Sequence, residues 1–203
     1  TPPGFSMLVM AGFMAADLLQ AAFHDVRPGE RRPGLAREIH DRYVAELHAR
    51  LEEEPRGDLS LLSGLREVLG GRLFGVRSIL ERAGAEFAAA KGPSDRPKVL
   101  VVGEIYVRLD PFSNGFVLDR LHELGLGVRL APFNEFLEYV SHLNMDRSRG
   151  FSARFSNFIE RSIRRSTEGI LAKFLGWPRS STVCIAPRPT ARKPPARWFT
   201  PPP

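Results

Sequence analysis

The sequence predicts an α/β protein in which a helical N-terminal part precedes a Rossmann-like βαβ unit. Two observations carry this prediction. Apolar residues recur at helical spacing through most of the first 92 residues, and from Lys98 onward a short apolar run is followed by a helical pattern and a second apolar run. Two strands separated by one helix imply a parallel pair joined by a right-handed crossover. The unit shows two strands, and residues 6–10 could form a further short strand or the lead-in to a helix, so the predicted sheet can be incomplete.

Composition divides the 203-residue chain into three parts. Residues 1–92 are predicted to be mainly helical, and they end at a KGPSDRP stretch with the proline and glycine content of a linker. Residues 93–177 are predicted to form the Rossmann-like part. Residues 178–203 are rich in Pro and Arg and lack periodicity, so we predict a disordered basic tail there.

The helices of the N-terminal part are predicted from their apolar stripes. Residues 13–23 are apolar on most faces, residues 35–54 repeat an apolar position every four residues, and residues 72–90 form another amphipathic pattern. His40 and His48 lie eight positions apart, whereas a metal-binding pair on one helix uses a spacing of three or four. We therefore predict that these histidines are boundary or surface residues.

The formal net charge of +6 is concentrated at the C-terminal end of the sequence. Residues 178–203 contain five basic residues and no acidic one, so the rest of the chain carries a net charge of only +1. Nucleic-acid-binding proteins usually present a basic stripe on a folded face. Because that stripe is missing from the folded parts, we predict no nucleic-acid partner.

Residues 5–23 are apolar enough to raise the question of a membrane. The unbroken apolar run covers only about ten residues before Asp17, short of the roughly 20 that a spanning helix needs. No basic segment precedes it, as a signal peptide would require, so a buried helix is favoured and a signal peptide is the alternative. We predict no membrane partner. The chain begins TPPGF rather than with Met, and we expect it to be a piece of a longer protein.

Cys184 is the one cysteine of the chain. A single thiol excludes an internal disulfide and a metal or cluster site built from several thiolates. It also fits a reducing compartment, and we predict a cytoplasmic protein. The sequence contains no HExxH or CxxC motif and no convincing Ser-His-Asp order, so it assigns no catalytic residue and no metal site.

Polar residues follow the first predicted strand at the point where it ends. Gly103 interrupts the buried-type KVLVV run, and Glu104, Tyr106 and Arg108 come directly after it. In open α/β sheets, ligands bind in the crevice outside the carboxyl ends of the strands. The stretch lacks the GxGxxG and GK[ST] patterns of phosphate loops. The alternative is structural: Glu104 would serve nearby backbone amides, and Tyr106 would pack its ring on the sheet edge.

Two further side chains are candidates for the same crevice. Asn114 lies in the first turn of the following helix, which Asp110 and Pro111 are predicted to start. Glu135 follows the second strand at the equivalent strand end. With Glu104 it could form a carboxylate pair for acid–base work if the environment split the two pKa values. The alternatives are a turn contact for Asn114 and a helix cap for Glu135.

The segment VGEIYVRLDPFSNGFVLDRLHELGLGVRLAPFNEFLEY resembles the GE-x-Y-V-R…PF-x-N…AP-x-x-E-W pattern of proteins related to 2-hydroxyacyl-CoA dehydratases and their activases. The upstream stretches AADLLQAAFHDVRPGERRPG and RPKVLVV resemble the same family, so the resemblance covers residues 8–175. Phe136 stands where Trp is usual, and RPGE stands where RPYE is common. The family's PFGCMPG-like motif for a 4Fe-4S cluster is absent from the sequence, and Cys184 does not match it.

The resemblance implies an ATP-driven iron–sulfur system in which an activase delivers an electron to a lyase that removes water from a 2-hydroxyacyl-CoA. It implies a partner that carries the cluster or binds ATP, because this sequence lacks the cluster ligands. We expect a fragment of such a protein that is not active alone, or a non-catalytic scaffold module that docks on a cluster-bearing partner. Residues expected to line the cleft are Glu104, Tyr106, Arg108, Asn114 and Glu135.

Overall fold

The computed structural model describes residues 3–53, 59–92, 96–131, 133 and 151–176. These residues form a mostly helical structure with one small sheet of two parallel strands. The helices are α1 (Pro3–Val26), α2 (Leu35–Glu53), α3 (Leu61–Leu69), α4 (Val76–Ala90), α5 (Ile105–Leu109), α6 (Val117–Glu123) and α7 (Phe151–Leu175). The strands are β1 (Lys98–Val101) and β2 (Gly127–Leu130).

Helix α1 lies at the centre of the helical part because its apolar residues cover most of its faces. It contacts α2, α3, α4 and α7, and Ala11, Leu19 and Val26 on it are fully buried. Together with the turn that follows it, α1 is long and apolar enough to cross a membrane by length and composition alone. Half of the qualifying window is buried inside the protein, and the core helix of a soluble protein passes the same test.

Two glycines bring α1 and α3 into close contact. A Cβ atom on Gly64 of α3 would lie 2.8 Å from Met7 Sδ and 2.9 Å from Gly4 Cα on α1. The crossing therefore has no room for a methyl group at this point, and the contact depends on the absence of a side chain.

Replacing Gly64 by Ala is expected to lower the free energy of unfolding by about 1–3 kcal/mol, because the new methyl group overpacks the α1–α3 crossing. Gly169→Ala is the matched control, since a Cβ atom at Gly169 of α7 would meet no atom within 4 Å. There the change should stabilise the helix by about 0.5–1 kcal/mol. Urea unfolding followed by circular dichroism measures both, and equal effects of the two substitutions would contradict the close crossing.

The two strands pair in parallel, with Lys98 opposite Gly127 and Val101 opposite Leu130. The predicted parallel pair is thus present, and the broad description of helices with a parallel sheet is correct. The Rossmann-like assignment is finer than these two strands and stays a prediction.

Strand β1 is more exposed than its apolar sequence predicts. The KVLVV run was interpreted as a buried strand, yet Leu100 is 50% exposed and Val102 is 65% exposed. Val99 pairs with the buried Val128 of β2, and β2 contacts α1, so this face of the sheet is turned towards the helices. Leu100 points to the opposite face because side chains alternate along a strand.

Two helices begin later than the sequence predicts. Residues 111–116 form turns, and α6 begins only at Val117, because Phe116 has a left-handed φ of 58° that no α-helix can include. Similarly, Gly75 has a φ of 83°, so a 3-10 turn precedes α4 where a helix from residue 72 was predicted.

Helix α7 joins the core of the preceding helices although it lies beyond the predicted linker. It packs on α1 and α4 and contributes Ile159, Ile163 and Ile170 to their apolar cluster. The division at residue 93 stays a prediction, and residues 178–203 lie outside the described part of the chain.

Candidate functional site

Glu104 lies where β1 ends and begins the short helix α5. Its carboxylate accepts a hydrogen bond from the backbone N–H of Val107 at 2.9 Å. Hydrogen bonds from the first amides of α5 lower the pKa of Glu104, and the nearby charge of Arg108 lowers it further. Glu104 therefore has the structural role that the sequence offered as the alternative, and its carboxylate is ionised at neutral pH.

Arg108 is the most buried of the predicted site residues, with 8% of its surface exposed. Its Nη1 donates to the carbonyl oxygen of Gly103 at 3.4 Å, and its Nε is buried without a hydrogen-bond partner. Within the described ranges Arg108 forms no ion pair. The guanidinium therefore brings a buried positive charge without a salt-bridge partner to the carboxyl end of β1.

Asn114 forms hydrogen bonds to the backbone of α5 and α6 through both its amide nitrogen and its amide oxygen. Its Nδ2 donates to the carbonyl oxygen of Arg108 at 3.2 Å, and its Oδ1 accepts from the backbone N–H of Val117 at 3.3 Å. The side chain thus ties the end of α5 to the start of α6. This is the turn contact that the sequence offered as the alternative to a ligand contact.

The remaining two candidates do not join this cluster in the described structure. Tyr106 is 68% exposed, so most of its ring stands in solvent. Glu135 lies outside the described residues, and the carboxylate pair with Glu104 stays a prediction. The structure therefore brings together Glu104, Arg108 and Asn114 at the strand end.

A buried histidine pair connects α1 to α6 and was not predicted from the sequence. His24 Nδ1 lies 3.4 Å from His122 Nε2, and the two rings stack with centroids 5.1 Å apart. Gln20 Nε2 lies 2.8 Å from His24 Nε2, whereas His122 Nδ1 is buried without a partner. The two histidines are 98 positions apart, and no spacing rule relates them.

Burial keeps both histidines neutral. The pKa of His24 is lowered to about 3, chiefly by burial and then by the neighbouring His122 and Arg27. The pKa of His122 is lowered to about 4, again chiefly by burial and then by Arg27. Arg27 forms a 2.6 Å ion pair with Asp119 of α6, next to the same rings. The cluster holds α6 against α1 rather than offering a free base to solvent.

Helices α2 and α4 meet at a second polar cluster. The hydroxyl of Tyr43 donates to Glu86 Oε1 at 2.6 Å, and burial together with this bond raises the pKa of Tyr43 to about 12. Arg42 pairs with Glu86, and Arg82 pairs with Glu46. Each charge in this cluster has a partner of opposite charge. We therefore interpret the cluster as a contact that holds α2 against α4.

His40 and His48 agree with their prediction as boundary and surface residues. His40 Nδ1 lies 2.9 Å from Asp41 Oδ1 at the partly buried edge of α2, and His48 is exposed. Across residues 3–53, 59–92, 96–131, 133 and 151–176, no group of three or more His, Cys, Asp or Glu side chains is placed to hold a metal ion.

The strand-end cluster is the site that sequence and structure share, whereas the histidine pair is visible only in three dimensions. The chain matches no family model, no curated protein and no solved structure. The resemblance to 2-hydroxyacyl-CoA dehydratase-related proteins therefore rests on the residues of the VGEIYVR…APFNE segment.

Proposed function

We propose that this chain is a cytoplasmic component of a 2-hydroxyacyl-CoA dehydratase system, and that its share is binding rather than chemical conversion. The observation that carries the proposal is the placement of Glu104, Arg108 and Asn114 at the carboxyl end of a strand in a parallel pair. Ligands of α/β proteins bind at such strand ends. The strand pair is proposed to belong to a Rossmann-like unit, with Tyr106 and Glu135 at the rim of the same cleft.

The iron–sulfur cluster that the resemblance implies is assigned to a partner. Cysteine thiolates are the usual ligands of 4Fe-4S clusters. The described residues include no cysteine, and Cys184 is the single one in the sequence. These donors do not fit a cluster, so the proposal includes a cluster-bearing or ATP-binding partner and no redox step on this chain.

The binding role is tested by isothermal titration calorimetry of the purified chain with a 2-hydroxyacyl-CoA. We expect saturable binding that weakens about tenfold or more in Arg108→Gln, since a lost hydrogen bond to a charged group has an effect of this size. Arg120→Gln is the matched control, because Arg120 is exposed on the neighbouring helix α6. Absence of saturable heat with the wild-type chain would refute the binding role.

The assignment of the cluster is tested separately by anaerobic reconstitution with iron and sulfide. We expect a colourless protein after desalting, because one thiol cannot hold a four-iron cluster. A stable visible absorbance at a stoichiometry of one cluster per chain would contradict the assignment to a partner.

A scaffold module that docks on a cluster-bearing partner is the second candidate function. It is favoured by large apolar side chains that the βαβ region leaves exposed. These side chains are Leu100, Val102, Phe112 and Leu124. In co-elution with a purified dehydratase subunit, Leu100→Ser and Leu124→Ser should then lose the complex while thioester binding is kept. Loss of thioester binding in the same variants would favour the first candidate.

A further inference from the structure

Arg108 is a buried cation that forms no ion pair with the described residues. A guanidinium offers five N–H donors, and the described acceptor for Arg108 is the Gly103 carbonyl oxygen at 3.4 Å. Its Nε has no partner. The two acids nearest to it along the chain, Asp110 and Glu104, direct their carboxylates to the backbone N–H groups of Ser113 and Val107. Neither forms an ion pair with Arg108, although the charge of Arg108 is close enough to lower the pKa of Glu104.

An unpaired buried charge opposes folding, because the group has lost its hydration and gained no opposite charge in return. The cost disappears when an anion occupies the site. The planar fork of arginine matches two oxygens of one carboxylate or phosphate group, which can accept two parallel hydrogen bonds. The chemistry of the unpaired group thus indicates an oxyanion.

The backbone near Arg108 has open space at two glycines. Gly103, which accepts the one hydrogen bond of Arg108, has a φ of 153°, and a Cβ atom built on it would meet no atom within 4 Å. A Cβ atom on Gly115, in the turns between α5 and α6, would likewise meet nothing within 4 Å. The backbone on both sides of the Asn114 hydrogen bond to Arg108 is therefore open to approach.

We propose that Arg108 anchors an oxyanion site at the carboxyl end of β1, which takes a carboxylate or phosphate group of the ligand. Asn114 acts as a positioning residue, since its Nδ2 holds the backbone of Arg108 and its Oδ1 holds the start of α6. The inference rests on the proposed binding function of this strand end and names the chemistry of the ligand group.

The test follows the Nε–H resonance of Arg108 by nuclear magnetic resonance while sodium acetate or sodium phosphate is added at constant ionic strength. Arg108→Gln assigns the resonance, and Arg120→Gln assigns that of an exposed reference arginine. We expect the Arg108 signal to shift and saturate while the Arg120 signal stays fixed. Saturation by acetate alone identifies a carboxylate site, and saturation by phosphate identifies a phosphate site. No shift with either anion, or equal shifts at both arginines, overturns the proposal.

Arg108→Met separates binding from structural support, because it removes the charge and keeps an unbranched side chain. Wild-type protein should show a higher Tm in the saturating anion than in chloride at equal ionic strength. The variant should lose that rise, and a rise that persists in the variant overturns the proposal. If the variant does not fold, the wild-type titration decides by itself.

Failure of the inference and failure of the proposed function give different results. If the thioester binds equally strongly to wild type and Arg108→Gln, the proposed oxyanion site is refuted and the proposed binding function is kept. A saturable Arg108 shift with acetate or phosphate, without any thioester binding, would support the oxyanion site and refute the proposed function.

Discussion

Lowering the pH from about 7.5 to about 5.5 is expected to destabilise the fold by about 2–3 kcal/mol through the His24–His122 pair. In the folded protein, burial lowers the pKa of these histidines to about 3 and about 4. In the unfolded chain both pKa values lie near 6.5. Between these limits the unfolded chain takes up protons that the folded protein does not. The two histidines therefore make their full contribution to stability above about pH 6.5. Below that pH, the free energy of unfolding falls by up to about 1.4 kcal/mol per pH unit for each histidine.

The carboxylate beside the pair acts at lower pH than the two histidines. Asp119, whose pKa is lowered by its hydrogen bond to Arg27, loses its contribution only as pH falls through the acidic range below its ordinary value of 3.8. Measurements between about pH 5.5 and about pH 7.5 thus report chiefly on histidines.

Urea unfolding at several pH values measures how steeply the free energy of unfolding depends on pH. His122→Phe should make this slope shallower, because it removes one of the two buried histidines. His48→Asn is the control, since it removes a histidine that is exposed on α2. The same slope in wild type and His122→Phe would show that the pair is not buried as described.

Replacing Ile163 by Ala is expected to lower the free energy of unfolding by about 2–5 kcal/mol, the usual range for a large buried aliphatic side chain. Ile163 is fully buried where α7 packs on the helices that precede the strand pair. Phe158→Ala on the same helix is the control, because Phe158 is 53% exposed and its removal leaves no closed cavity.

The Ile163 variant also tests whether α7 and the N-terminal helices unfold together. A single urea transition, shifted as a whole and seen equally by circular dichroism and by the amide signals of α1 and α4, is expected for one cooperative unit. A second transition, with the signals of α1 unshifted, would show instead that α7 belongs to a separate domain.

The parts of the fold that depend on local sequence could be predicted. The stripe through Ile39, Tyr43 and Leu47 identified α2, and the order of strand, helix and strand identified the parallel pair. An apolar run does not reveal what covers it, and so β1 was predicted to be buried although Leu100 is half exposed. The left-handed Phe116 carries no glycine signal in the sequence, which explains the displaced start of α6.

The candidate site shows the same limit. The sequence could predict that Glu104, Arg108 and Asn114 lie near one another, because all three follow one strand end within eleven residues of the chain. The burial of the Arg108 guanidinium depends on how α5 and the following turns fold back, which periodicity does not describe. The His24–His122 contact depends on the docking of α6 against α1, across almost half of the chain.

The joining of α7 to the first four helices makes the strand pair an insertion. The chain leaves the helical bundle after Ala90, forms β1 to β2, and re-enters it with α7. The apolar cluster of the bundle draws its members from α1–α4, the adjoining segments and α7, and none from β1 or β2. The apolar core of the bundle therefore contains no side chain of the strand pair, although β2 and α6 both pack against α1. Changes in the sequence or length of the inserted segment should alter what the protein binds more readily than whether it folds.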